Sequence, residues 1–95
     1  MIVQRMIVLA KAGRRMDVEK LASAERERIG GTHRIYRNRF GPHNTIAMEF
    51  EFEDLEEMET FWSEWLATSE SDAFLKKWFD LLEADGTDEV WTLVE

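Results

Sequence analysis

Residues 34–52 read Arg34-Ile35-Tyr36-Arg37-Asn38-Arg39-Phe40-Gly41-Pro42-His43-Asn44-Thr45-Ile46-Ala47-Met48-Glu49-Phe50-Glu51-Phe52, and the fold is decided here. Two extended runs, Thr32 to Phe40 and Asn44 to Phe52, flank Gly41-Pro42-His43, whose turn chemistry predicts a β-hairpin. The second arm alternates: Ile46, Met48, Phe50 and Phe52 face one way, Ala47, Glu49 and Glu51 the other. Upstream, Ile2 to Ala10 is a β-branched and aliphatic run with no face assignable to water, as in a strand covered on both sides. Between it and the hairpin, Asp17 to Ile29 carries Val18, Leu21, Ala22 and Ile29 on one stripe, a helix stopped by Gly30-Gly31. Downstream, Asp54 followed by Glu57 is a capping-box-like start, and Leu55, Met58, Phe61, Trp62, Trp65 and Leu66 follow at helical spacing. Ser69 or Ser71 caps a further helix carrying Phe74, Leu75, Trp78, Phe79, Leu81 and Leu82, closed by Gly86. Val90 to Val94 reads as a last strand, apolar on both faces.

The order β-α-β-β-α-α-β, joined by right-handed crossovers, gives a ferredoxin-like α+β fold: a four-stranded antiparallel sheet with its helices on one face. At 95 residues the expectation is one domain spanning 1–95. The first and last strands are apolar on both sides, yet the helices cover only one. The other side needs a cover, and a second copy of the chain is the simplest.

Composition removes several classes of function. The chain has no cysteine, which excludes disulfides, thiolate zinc sites, iron–sulfur clusters and thiol nucleophiles. Its longest apolar run, Met6 to Ala10, is too short for a membrane span, and Arg5 interrupts the first ten residues. No signal peptide is read there, and a cytoplasmic location is expected. A net charge of −8 argues against nonspecific nucleic-acid binding. That charge is uneven, with a net +6 on residues 1–43 and −14 on residues 44–95. Arg–Glu pairing between neighbouring strands is its simplest use. The acidic runs Glu49-Glu51-Glu53-Asp54 and Glu56-Glu57-Glu59 read as solvated faces. His33 and His43 lie about 30 Å apart on one extended strand, so no two-histidine metal or haem site is expected within one chain. Neither metal nor cofactor is expected.

The hairpin register decides which polar groups meet the helices. An odd-length turn, Gly41-Pro42-His43, sets Phe40 opposite Asn44 and Tyr36 opposite Met48. Arg34, Tyr36 and Asn38 then point toward the helices, while His33, Arg37 and Arg39 sit beside Glu49 and Glu51 on the other face. An even-length turn would put Arg37 and Arg39 among Met48 and Ile46, burying two charges without partners, which is costly. The odd register is therefore preferred. It yields a candidate ligand site in which Arg34 meets a carboxylate, enolate or phenolate, with Tyr36 and Asn38 as hydrogen-bond partners. Trp62, Trp65 and Trp78 form its aromatic roof, which Trp91 could join. The expected ligand is small and hydrophobic or anionic. A plainer reading keeps Arg34 at the rim and uses Tyr36 and Asn38 to satisfy backbone groups. His33 could pair with Glu51, and His43 is a solvated loop residue.

This order of elements, with the block Arg34 to Phe52 and the aromatic helix Phe61-Trp62-Ser63-Glu64-Trp65, resembles the dimeric α/β-barrel superfamily. Within it, the chain is most similar to NIPSNAP-like proteins and small antibiotic-biosynthesis-monooxygenase-like proteins, over nearly its whole length. The resemblance implies a homodimer with two sheets stacked face to face, and often a small-molecule pocket between each sheet and its own helices. The superfamily includes cofactor-free monooxygenases, haem-degrading enzymes, isomerases and members without known activity, so the resemblance selects no reaction. The resulting expectation is a small homodimeric binding protein without assignable catalysis. The alternatives are a cofactor-independent monooxygenase-like enzyme acting on a hydrophobic aromatic substrate, and a module that docks a basic partner through its acidic second half.

Overall fold

Nine residues rich in β-branched and aliphatic side chains form the first strand, β1 (Ile2–Ala10), in the structure, a computed structural model describing residues 1–95 except the side chains of 84 and 85. Helix α1 (Arg15–Arg28) follows and buries Val18 and Ala22. The hairpin is β2 (Arg34–Arg37) and β3 (Thr45–Phe52), the first arm much shorter than its extended sequence predicts. Helix α2 (Leu55–Leu66) starts on the expected capping box: Asp54 accepts from the Glu57 amide at 2.8 Å, and the Glu57 carboxylate accepts from the Glu53 amide. Helix α3 (Ser69–Leu81) is capped by Thr68, one residue before the earliest candidate; Ser71 is instead buried, donating to the carbonyls of Thr68 and Leu66. The chain then enters β4 (Leu82–Thr92) directly.

The strands are antiparallel in the order β2-β3-β1-β4, a ferredoxin-like sheet with all three helices on one face. Facing the helices are Ile2, Gln4, Val8 and Ala10 of β1 with Ile46, Met48, Phe50 and Phe52 of β3, all buried. The opposite face carries Val3, Arg5, Ile7 and Leu9 against Glu51, Glu49, Ala47 and Thr45. Both-sided apolarity in β1 is thus present in the chain, although among the described residues no helix packs on that second side.

Two expectations need correction. Gly86 does not end a helix: it lies within β4, and a Cβ there would sit 1.7 Å from the Ile7 carbonyl oxygen, so any side chain would force β4 away from β1. The β1–β4 register also slips between Ile7 and Ala10 beside that approach. The hairpin register is the even one, with Arg34 opposite Glu49, Ile35 opposite Met48, Tyr36 opposite Ala47 and Arg37 opposite Ile46. The objection to it was the burial of Arg37 and Arg39. Arg37 ends an edge strand, however, and its guanidinium reaches Glu19 of α1 at 2.7 Å with most of the side chain in solvent. Arg39 lies beyond the strand. Asn38 leaves the strand too, its amide donating to the Pro42 carbonyl at 3.0 Å and holding the turn.

Candidate functional site

The apolar stripes of α2 and α3 bring aromatic side chains over β3. From α2, Phe61 and Trp62 meet Phe50 at centroid separations of 5.9 and 5.1 Å. Trp62 stands at 84° to Trp65, and Trp65 at 76° to Phe74 of α3, which stacks on Trp78. Edge-to-face contacts of this kind satisfy the ring quadrupoles but tile space imperfectly. They border a partly open cavity of about 90 Å³, walled by Met6, Met48, Phe50, Phe61, Trp62, Trp65, Phe74, Leu75 and Trp78, with Ala22, Glu25, Ile29 and His33 on the α1 side.

Three polar side chains serve this aromatic wall. Gln4, buried among apolar neighbours, accepts from the Trp62 indole N–H at 2.7 Å and donates to Asp88 at 3.0 Å, so both ends of its amide are used and the Trp62 ring is fixed. Glu25 accepts from the Trp65 indole N–H at 2.7 Å and from Arg28 at 2.7 Å. The Arg28 guanidinium holds the Glu25 carboxyl below the ordinary carboxylate range; burial opposes this and the Trp65 hydrogen bond adds to it. The His33 ring stacks on Phe50 at 4.2 Å, and burial, helped by the nearby Arg26 charge, pushes its imidazole below the ordinary value. His33 therefore stays uncharged at neutral pH. Gly31 makes room for the ring, since a Cβ there would lie 2.8 Å from His33 Nδ1.

The residues expected to form the site part into two groups. Trp62, Trp65 and Trp78 line the cavity. Arg34 and Tyr36 do not: the even register turns them to the opposite face, where Arg34 meets Glu51 at 3.1 Å and Tyr36 reaches toward Glu49. Asn38 belongs to the hairpin turn. His33 faces the cavity instead of pairing with Glu51, and Trp91 lies on the open face opposite Val3, its indole N–H on Glu89. Arg5 and Arg34 neutralise Glu49 and Glu51, which accounts for part of the uneven charge. Gln4 and Glu25 went unremarked in the sequence, though each left a signal. Gln4 is an amide at an inward position of an apolar strand. Glu25 is three residues past Ala22 and four before Ile29, on the apolar stripe of α1.

No protein-family model matches the chain, and no curated protein matches it. Solved structures do. A NIPSNAP family protein from Agrobacterium tumefaciens superposes with a TM-score of 0.86 at 16% identity, covering 99% of this chain and 93% of that one. An uncharacterised NIPSNAP domain protein from Burkholderia xenovorans gives 0.85 at 16% identity over 99% and 95%. An antibiotic biosynthesis monooxygenase gives 0.77 at 14% identity over the full length of both. At these identities the likeness is one of fold. It agrees with the resemblance read from the sequence, and among the described residues no helix is long and apolar enough to cross a membrane.

Proposed function

We propose that this chain is a cytoplasmic small-molecule-binding protein that takes a compact ligand into the cavity between its sheet and helices, and that works as a homodimer joined through the open sheet face. The cavity carries the reading. A concave, almost wholly apolar space with one carboxylate and one uncharged imidazole on its wall is the usual chemistry of a ligand site. For the dimer, the support is the open face: Tyr36, Trp91 and Leu93 are exposed and Val3, Ile7 and Leu9 only half-buried, apolar side chains on either side of the charged row Arg34, Glu49, Arg5 and Glu89. A two-fold axis through that face would set each copy's apolar strip against the other's.

Native mass spectrometry, run gently and then under denaturing conditions, tests both halves. The expected species is a dimer carrying a reproducible extra mass that denaturation removes. A monomer would overturn the dimer, and a bare chain that no small apolar probe perturbs at Trp62 or Trp65 would overturn the ligand site. A cofactor-independent monooxygenase-like enzyme acting on a hydrophobic aromatic substrate is the second reading, favoured by His33. An uncharged imidazole on the cavity wall can take a proton from a weakly acidic hydroxyl. Oxygen uptake with small phenols, abolished in His33→Ala, would support it; no uptake would remove it.

A further inference from the structure

Resting on the dimer half of that reading, we propose that the charged row Arg34, Glu49, Arg5 and Glu89 on the open sheet face fixes how a second copy docks there. It seats Arg34 of each copy against Glu89 of the other, about a two-fold axis that runs along the strands. The strand register draws the row. Arg34 of β2 lies opposite Glu49 of β3, Glu49 opposite Arg5 of β1, and Arg5 opposite Glu89 of β4. Directly opposed residues share a face, so all four stand away from the helices, and their signs alternate from one edge of the sheet to the other. Val3 and Trp91 flank the row on one side, Tyr36, Ala47 and Ile7 on the other.

The order of signs restricts the docking. Two copies of one sheet, face to face about a two-fold axis between them, have two limiting arrangements. An axis along the strands, midway between β3 and β1, lays β2 over β4 and β3 over β1. Every charge of the row then faces its opposite, Arg34 on Glu89 and Glu49 on Arg5. The same axis sets Ala47 over Ile7 and Tyr36 over Thr87, small side chains against large ones. An axis across the strands lays each strand over its own copy. Placed on the row, it sets like charge on like charge; displaced from it, it sets the charges on the apolar rows, where they lose water and gain no partner.

Within one chain, Arg5 meets Glu49 at 2.9 Å and Arg34 meets Glu51 at 3.1 Å, with much of each arginine still in solvent. Glu89 has only the Trp91 indole N–H, at 3.1 Å, among the described residues. Arg34 and Glu89 sit on the two edge strands, three strand spacings or about 14 Å apart, too far to pair in the same chain. Packed sheets lie about 10 Å apart, a gap that an arginine and a glutamate close from its two sides. Coupling between Arg34 and Glu89 therefore reports on the second copy.

Sedimentation equilibrium of the intact chain tests this. Arg34→Glu and Glu89→Arg each bring like charges together at both ends of the row, and each should weaken self-association about ten- to hundredfold. Net charge alone forecasts the reverse for Glu89→Arg, which makes the chain less negative. Mixed in equal amounts, the two variants should associate within about threefold of the wild-type constant, since both ends then join opposite signs. The double variant should do the same. Arg34→Gln and Glu89→Gln should each weaken association about threefold, and they carry the test if a reversal loses its native circular dichroism. A wild-type dimer that the substitutions leave unchanged, or whose loss mixing does not restore, would overturn the charge-matched docking and leave the dimer in place. A wild-type chain that stays monomeric would overturn the dimer as well.

Discussion

The two faces of the one sheet are built on opposite plans. Toward the helices, β3 presents Ile46, Met48, Phe50 and Phe52, and the polar side chains admitted, Gln4, Glu25 and His33, are engaged by or stacked against aromatic rings. Away from the helices, the same strands mix Val3, Ile7, Leu9 and Ala47 with the pairs Arg5–Glu49 at 2.9 Å and Arg34–Glu51 at 3.1 Å. The first plan is a closed core, where shape and burial dominate. The second combines apolar strips with ion pairs, a pattern suited to a surface that must dissolve alone and still find one partner in one orientation. The difference teaches that β1 carries apolar side chains on both faces of the sheet while the helices pack on one, and that substitutions on the two faces should read out in different experiments.

The sharpest break should come from the inner face. Trp78 is almost fully buried at the α3–sheet contact, and Trp78→Ala should cost about 3–5 kcal/mol in chemical denaturation. That is a large share of the roughly 5–15 kcal/mol available to a domain. A loss below about 1 kcal/mol would mean that the inner face is far looser than its ring contacts indicate. Trp91 on the outer face should behave in the reverse manner. Trp91→Ala should leave the melting of the chain nearly unchanged but weaken self-association by about 2 kcal/mol, some thirtyfold, in sedimentation equilibrium. Unaltered association would move the dimer contact off this face.

The same contrast separates what was legible in the residues from what was not. Alternation at period two in β3 and apolar stripes at helical spacing in α1, α2 and α3 carry the element order and the identity of the inner face, because burial acts directly on those periods. The hairpin register was not legible. It turned on whether Arg37 could escape burial, and the answer is an ion pair with Glu19, eighteen residues earlier and on another element. Gly86 likewise reads as a helix stop in one dimension. Its role is set by the Ile7 carbonyl, which only strand pairing brings near. As a result Arg34 and Tyr36 were assigned to the wrong face, whereas the three tryptophans, placed by helical spacing alone, were not.

A smaller effect sharpens the inner face by pH. His33 binds a proton less readily in the folded chain than in the unfolded one, because burial and Arg26 both disfavour its charged form. Below its ordinary 6.5 the unfolded chain takes up the proton first, so stability should decline as the pH falls from there and level off below the folded-state value. Glu19 and Glu25 are shifted the other way, held down first by Arg37 and Arg28 respectively. Their contribution is present above the ordinary 4.5 and is lost only as the pH falls below it. Acid unfolding followed by circular dichroism should thus show two windows. His33→Gln should flatten the upper window and leave the lower, and an upper slope that survives in His33→Gln would assign it to another group.

The smallest expected effect falls on Arg34. Its side chain is mostly in solvent, and its partners Glu49 and Glu51 stand on the face away from the cavity. Exposed pairs of this kind are screened, and the loss of one cation leaves Glu49 still held by Arg5. Arg34→Ala should therefore leave both the denaturation midpoint and the affinity of any cavity ligand within the scatter of repeat measurements. The odd register makes the opposite forecast, because there Arg34 would be the group that grips the ligand. A marked loss of ligand affinity in Arg34→Ala, with folding intact, would therefore favour the odd register and put Arg34 back on the cavity side of β2.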